Sequence, residues 1–322
     1  MCEDLVGHAE GISMSSTAEG HAHNLGELIE DFFSCDPTSV ALTKLIDESV
    51  KGSINAKKAA DPTSIRAEGV FIAKKEGVLA GTLPASLSVQ VLDTDAQVHW
   101  DVSEGELFSP GDSLGTVNGC LQALLCAERT ALNFLCHLSG VATLARAFVE
   151  EARKHNSEVV VRDTRKTLPG LRLFEKEAVR AGGAANHRIG LYDGILVKDN
   201  HLSAATSLGI SHRDALFSLV AQCRKKFPAL VVEVEADDET QAEMAAEAGA
   251  DIVLCDNMSP EAVRRVVEAV RGRAKVEASG RITLDNIGSY AAAGADYIAV
   301  GSITHSAPAI DISFEIRKAW CA

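Results

Sequence analysis

Along the 322-residue chain the hydrophobic pattern changes rhythm several times. Residues 1 to about 24 mix Gly, Ser, His and Ala without periodicity, which predicts a flexible extension. Between 25 and 50, Leu25, Leu28, Ile29, Phe32 and Phe33 fall on one helical face. From about 66 to 118 the runs become short and β-like, with Gly and Asp turns between them. IRAEGVFIAKKEGVLAG, SVQVLDTDAQVHWDV and the turn at GELFSPGDSLG predict a small α+β domain with a partly antiparallel sheet. Residues 119–138 carry Leu121, Leu124, Leu125, Leu132 and Leu135 at helical spacing. Ser139-Gly140 predicts a break there, with a second helix running to about His155.

A different texture follows. Apolar, β-branched runs stand at 158–161, 194–197, 230–235, 251–256, 275–279 and 296–301. Most of the intervals hold an amphipathic helix ending in Gly, and AEMAAEAGAD and IGSYAAAGAD repeat one helix-to-strand joint. Alternation of apolar strands and helices predicts a parallel sheet covered by helices, an α/β barrel or an incomplete one. Each run ends in residues able to do chemistry. They are Arg162-Asp163-Thr164-Arg165-Lys166, Lys198-Asp199-Asn200, Glu233 and Glu235, Asp256-Asn257, Ser279-Gly280 and Gly301-Ser302. In α/β barrels the C-terminal ends of the strands form the active site.

Charge sharpens this picture. The net charge is −14, which argues against nucleic acid and anionic membrane as partners. Yet between Arg162 and Lys198 eight Lys/Arg face four acids, a local excess of four positive charges. A cationic segment in an acidic chain points to a focused anion site. No uninterrupted apolar run reaches the ~18 residues of a membrane span. The opening MCEDLVGHAEG lacks the basic start and apolar stretch of a signal peptide. The eight cysteines form no CxxC pair, so structural zinc and a redox dithiol are not expected. Cys120, Cys126 and Cys136 read as buried thiols, and a reducing, cytoplasmic location is expected.

The basic set is Arg165, Lys166, His187, Arg188 and Lys198. Arg pairs bidentately with carboxylate or phosphate and Lys acts as a point charge, so the set suits a substrate with several negative charges. A solvated helix face is the alternative reading. It suits Arg172, Lys176 and Arg180, which alternate with Glu175 and Glu177. Glu235 and Asp256 end successive strands and can hold ribose hydroxyls, stabilise a developing cation or take Mg²⁺ with substrate phosphates. Glu233 lies on the same strand face as Glu235 but deeper. EASGR and VGS, in the last two βα units, suit phosphate binding through backbone N–H groups. His187 reads as a binding residue rather than a general base.

These residues resemble a family. RDTRKTLPGLRLFEKEAVRAGGAANHRIGLYDGILVKDNH (162–201) is similar to the quinolinate phosphoribosyltransferases, also called nicotinate-nucleotide pyrophosphorylases (carboxylating). So are AERTALNFLCHLSGVAT, VEVEADD, LCDNM, VEASGRITLDNI and VGSITHSAPAIDIS, and the likeness covers roughly residues 25–316. It implies an N-terminal α+β open-faced sandwich and an incomplete, seven-stranded α/β barrel of the type II phosphoribosyltransferases. The expected divisions are 1–24 extension, 25–138 sandwich, 139–305 barrel, and 306–322 packing back on the sandwich.

The resemblance implies synthesis of nicotinate mononucleotide, pyrophosphate and CO₂ from quinolinate and phosphoribosyl pyrophosphate. Mg²⁺ is carried with the pyrophosphate, and no organic cofactor is expected. It implies that Arg129, Arg165, Thr167, His187 and Arg188 surround the quinolinate carboxylates. Lys166 and Lys198 would face the junction of the two substrates, Glu235 and Asp256 the ribose, and Ser279, Gly280, Arg281, Val300, Gly301 and Ser302 the 5′-phosphate. Arg281 stands where the family commonly has Gly, so it either reshapes the phosphate loop or adds a phosphate contact. Arg129, on a helix bearing Leu124, Leu125, Leu132 and Leu135, is implied to enter a neighbouring subunit's site, in a homodimer or a larger ring such as a hexamer. The rival readings are a Schiff-base aldolase using Lys198 or Lys166 and a barrel that only binds an anionic metabolite.

Overall fold

A computed structural model describes residues 65–321. The expected extension and the helix over 25–50 lie outside the described residues.

The first layer is an antiparallel sheet in the order β12-β1-β5-β3. Its strands are β1 (Ile65–Ala73), β3 (Gln97–Trp100), β5 (Ser113–Cys120) and the distant β12 (Ile312–Cys321). A two-stranded ribbon, β2 (Gly77–Val78) with β4 (Leu107–Phe108), flanks it. Strand β12 runs antiparallel to β1 from Ile65↔Cys321 to Ala73↔Ile312, so the end of the chain packs on the first domain. The SVQV run departs from expectation. Ser88, Val89 and Gln90 close helix α1 (Thr82–Gln90) instead of joining a strand, with Ser88 and Val89 turned into the core.

Helix α2 (Leu121–Arg153) is continuous over 33 residues, which corrects the expected break at Ser139-Gly140. Both residues are fully packed and do tertiary work. Ser139 Oγ accepts from Ala80 N–H at 3.1 Å and lies 3.2 Å from Ala80 O. A Cβ on Gly140 would collide with the carbonyl of Pro308, so glycine is needed for the returning chain to pass. A helix-weakening pair is tolerated because packing outweighs propensity. By length and composition α2 could cross a membrane, but it is 56% buried over that window and joins the two layers as a core helix. Leu124, Leu132 and Leu135 are buried in the first domain's own core. They do not form the exposed apolar face from which the sequence argued for a dimer.

The second layer is a parallel sheet in the order β6-β11-β10-β9-β8-β7. All six apolar runs become its strands: β6 (Val160–Arg162), β7 (Ile195–Val197), β8 (Val232–Ala236), β9 (Ile252–Asp256), β10 (Lys275–Ser279) and β11 (Tyr297–Ala299). A seventh stave is reduced to one parallel bridge, Arg162↔Ala185, on the free edge of β6. The helices between are α3 (Arg172–Ala181), α4 (Asp199–Ser207), α5 (His212–Lys226), α6 (Glu239–Glu247), α7 (Pro260–Val270), α8 (Ile287–Ala292) and α9 (Ser302–His305). The repeated GAD joint has a repeated task at the floor. Asp251 Oδ2 accepts from Val232 N–H at 2.8 Å, and Asp296 Oδ2 from Val276 N–H at 2.9 Å. Each carboxylate thus takes a strand-starting donor that would otherwise lack a partner.

Two further expectations change. Cys120, Cys126 and Cys136 are only half-buried, and among the described residues Cys255 is the buried thiol, its pKa pushed up to about 12 by burial. Helix α3 is not a solvated charged face throughout. Arg180 does pair with Glu177 at the surface. Glu175 and Lys176 are buried, and Arg172 binds Thr167 Oγ1 at 3.1 Å.

Candidate active site

Parallel pairing places the strand ends side by side, so the rim can be read in sheet order. At the end of β6 stand Arg165 and Lys166. The Thr304 hydroxyl donates to Lys166 O at 2.8 Å, and a Cβ on Gly301 would lie 3.2 Å from Lys166 Cδ. The lysine stem therefore packs against the glycine loop after β11, where Val300 is buried and its N–H donates to Arg162 O at 2.8 Å. Next comes β10, whose end Ser279 is in register with Ala299. Gly280 has φ 96° and Arg281 φ 51°. A Cβ on Gly280 would run into Asn257, itself at φ 53°. Asn257 N–H donates to Ser279 O at 2.9 Å, and Asn257 Nδ2 donates to Asp256 at 2.8 Å. The phosphate-type loops and Asp256 thus form one continuous stretch of backbone contacts.

At the other end of the sheet Lys198 Nζ donates to Glu235 Oε2 at 2.8 Å. The lysine is 47% exposed and the carboxylate 10%. The pair joins β7 to β8, and β9 with Asp256 follows.

The open seam, between the Ala185 stave and β7, carries the remaining charges. Arg188 donates across it to Gly194 O at 3.1 Å. Its pKa is pushed down, first by burial and then by the positive charge of Arg165. Arg165 Nε is buried with no hydrogen-bond partner among the described residues. Two adjacent, incompletely neutralised guanidiniums are what a dianionic ligand needs. The Thr167 hydroxyl accepts from Arg172 at 3.1 Å, which leaves its own proton to donate.

His187 points below the rim. Its Nδ1 accepts from Arg188 N–H at 2.8 Å and its Nε2 lies 2.9 Å from Glu233 Oε2 and 3.5 Å from Glu277 Oε1. Burial alone lowers the imidazole pKa, but the hydrogen bond and charge of Glu233, with Glu277, outweigh it and raise it. Its backbone is pinned by Asp163 Oδ1, which accepts from His187 N–H at 2.7 Å, and by Lys176, which donates to His187 O at 2.8 Å. Arg129 lies away from this cluster, exposed on α2, with no hydrogen bond or ion pair to the described residues.

Sequence reasoning missed Glu277 and the pairings of Arg162, Asp163 and Lys176, which it placed only at a strand end and on a solvated helix face. Glu277 had a signal. It is an acid in KVEAS between Val276 and Ala278, one residue out of step with the apolar positions, as Glu233 is in VEVE. The Asp163–Lys176 pair had none, since it spans a loop and a helix.

A parallel barrel with cationic, acidic and glycine-rich strand ends on one rim defines an enzyme that handles several anionic groups at once. Residues 141–315 match the C-terminal domain of the quinolinate phosphoribosyl transferases and residues 38–139 the N-terminal domain, and the chain belongs to that family. It is 38% identical over 253 residues to the probable nicotinate-nucleotide pyrophosphorylase [carboxylating] of Bacillus subtilis, covering 77% of this chain and 83% of that one. The Mycobacterium leprae nicotinate-nucleotide pyrophosphorylase [carboxylating] is 38% identical over 264 residues, 80% of this chain and 89% of the other. The solved nicotinate-nucleotide pyrophosphorylase of Francisella tularensis superposes with a TM-score of 0.72 at 34% identity, covering 87% of this chain and 97% of its own.

Proposed function

We infer that the chain transfers the phosphoribosyl group of phosphoribosyl pyrophosphate to quinolinate and decarboxylates the adduct, giving nicotinate mononucleotide, pyrophosphate and CO₂ in NAD biosynthesis. The observation that carries this reading is the Arg165–Arg188 pair beside the Lys198–Glu235 and Asp256 rim. Quinolinate brings two carboxylates to the guanidiniums. Lys166 and Lys198 stand at either end of the sheet, suited to the charges where the substrates meet. Arg129, Thr167 and His187 complete the quinolinate set, His187 by holding Arg188 N–H and Thr167 by holding Arg172 beside Arg165. Ser279, Gly280, Arg281, Val300, Gly301 and Ser302 receive the 5′-phosphate.

The pyridine nitrogen attacks the anomeric carbon as the bond to pyrophosphate breaks. The ribose carries positive charge at that point, and Glu235 and Asp256 stabilise it electrostatically. When CO₂ departs, the electron pair of the broken bond stays on C2, stabilised by the adjacent positive nitrogen, and C2 then takes a proton from water. No group has to deprotonate the nucleophile, so catalysis is chiefly positioning and charge stabilisation. Mg²⁺ enters as part of the substrate, bound to the pyrophosphate oxygens. Cysteine usage without paired motifs supports a cytoplasmic location.

The test is incubation with quinolinate, phosphoribosyl pyrophosphate and Mg²⁺, following CO₂ and nicotinate mononucleotide. Turnover is expected, with quinolinate preferred over nicotinate by orders of magnitude, because an absent carboxylate leaves buried cations unpaired. Comparable kcat/KM for the two acids overturns the quinolinate assignment. Covalent trapping of Lys198 or Lys166 by borohydride with a carbonyl compound would favour the aldolase reading instead.

The same reading includes a homodimer in which Arg129 completes the neighbouring site. Its support is the family resemblance and the exposed position of Arg129. Arg129→Ala and Lys198→Ala should each be nearly inactive, and refolding them together should return roughly a quarter of wild-type activity through mixed dimers. No recovery, with mixed dimers seen by mass spectrometry, places Arg129 in its own chain's site.

A further inference from the structure

Below the rim lies a buried polar cluster of which the reaction as derived uses only His187. Four segments contribute to it: Arg162 at the end of β6, His187 after the Ala185 stave, Glu233 within β8 and Glu277 within β10. Glu277 is 0% exposed and Glu233 4%. Arg162 donates to Glu277 Oε2 at 2.9 Å and stacks over the Tyr297 ring at 3.3 Å from its centroid. Ligand atoms of His187, Glu233 and Glu277 lie within 4.8 Å of one another. A cavity of about 280 Å³ is lined by Arg162, His187, Arg188, Asp193 and Glu233, so three members of the cluster and one of the two guanidiniums border the same space.

The donors and acceptors do not balance if both carboxylates are ionised. Glu233 Oε1 and Glu277 Oε1 are both buried and neither has a hydrogen-bond partner among the described residues. Two carboxylates this close in a desolvated site do not both stay charged. His187 competes for the missing proton, since Glu233 and Glu277 raise its pKa against burial, but its hydrogen bonds oppose the imidazolium. Its Nδ1 accepts from Arg188 N–H, and its Nε2 proton already points at Glu233, so an imidazolium would lose the bond that sets Arg188. The free oxygens of Glu233 and Glu277 are the positions that can gain a proton and lose no bond, and Glu277 is the more deeply buried of the two.

We propose that Glu233 and Glu277 share one proton, carried on Glu277, and that this proton keeps the pocket floor neutral so that dianionic quinolinate is accepted above it. With the proton in place, Arg162 balances Glu233, and His187 and Glu277 are neutral. Without it the floor carries one net negative charge facing the carboxylates that Arg165 and Arg188 attract. Asp193 and Glu233 are the acids that face Arg188, and Arg162, His187 and Glu233 are the charged or titratable groups that face Glu277. Burial, followed by the charge of Glu233, pushes the Glu277 carboxyl up to about 7, which puts the exchange in the neutral range. Glu277 and Glu233 are thus positioning residues that act through charge and through His187.

The proposal rests on quinolinate being the substrate, and its test separates the two. Quinolinate binding to the wild-type protein is titrated calorimetrically in two buffers of different ionisation enthalpy, and KM and kcat are followed against pH. Above neutral pH, binding should take up close to one proton per site. KM for quinolinate should rise about tenfold per pH unit while kcat stays level. Glu277→Gln, the neutral isostere, should abolish the proton uptake and flatten the KM profile at its low-pH value. Glu233→Gln should do the same, and it serves if Glu277→Gln does not fold. Wild-type turnover with no proton uptake, or a pH-dependent KM that survives in either folded variant, overturns the proposal. Failure of the wild-type protein to turn over quinolinate at any pH overturns the functional reading instead.

Discussion

Two lysine–carboxylate pairs in the same barrel have nearly the same length and opposite meanings. Lys176 lies 2.7 Å from Asp163 in the wall, and Lys198 lies 2.8 Å from Glu235 at the rim. The wall pair is 2% and 0% exposed, while Lys198 is 47% exposed. Burial raises the Asp163 pKa and lowers that of Lys176, in each case as the largest cause, so both charged forms are strained by desolvation. The wall pair persists because each partner makes a further bond to the His187 backbone. Its energy goes into fixing the loop that carries His187 and Arg188. The rim pair is half in water and a substrate can displace it. Ion-pair distance alone therefore says little about role, and solvent access with the remaining partners decides it.

The sharpest way to break the contrast is to cut one partner from each pair. Lys176→Met leaves Asp163 charged and buried and frees two carbonyl groups, and is expected to cost about 3–5 kcal/mol of stability. Urea unfolding measures this, and an unchanged midpoint would remove the framework role. Lys198→Ala and Glu235→Ala should instead shift stability by less than about 1 kcal/mol and lower kcat/KM about a hundredfold or more. Normal turnover in either, or loss of folding, would erase the distinction drawn between rim and wall.

A subtler test compares the pH dependence of stability in wild type and Glu277→Gln. A carboxyl raised from 4.5 to about 7 in the folded state binds its proton more tightly there than when unfolded. That contribution is complete below the unfolded pKa and is lost as pH rises through the folded one. The wild type should therefore lose stability relative to Glu277→Gln between about pH 4.5 and 7, and parallel curves would contradict the assignment. The smallest effect is expected at the phosphate loop. Arg281→Gly removes a side chain from φ 51° and should gain up to about 1 kcal/mol of stability. It should also raise KM for phosphoribosyl pyrophosphate several-fold. An unchanged KM would make Arg281 a tolerated surface change.

The sequence by itself determined the periodic parts. All six apolar runs became barrel strands, because strands covered on both faces are built mostly of apolar residues, with the buried Glu233 and Glu277 as exceptions. The rim residues Lys198, Glu235, Asp256 and Ser279 were legible because they follow those runs directly, and parallel pairing brings strand ends to one side. Contacts between distant segments were decided only in the tertiary structure. Ser139-Gly140 carries a break signal, yet the helix continues, because Ala80 and Pro308 occupy the space those small residues leave. Lys176 and Glu175 look like a solvated face from their spacing, yet α3 turns them onto Asp163 and His137. The leucines around Arg129 read as an exposed surface, yet the antiparallel sheet covers them. The proton-sharing cluster depends on four chain segments meeting inside the barrel. Local pattern reports which face of an element is apolar, but only packing determines which polar groups are cut off from water together, and desolvation sets their chemistry.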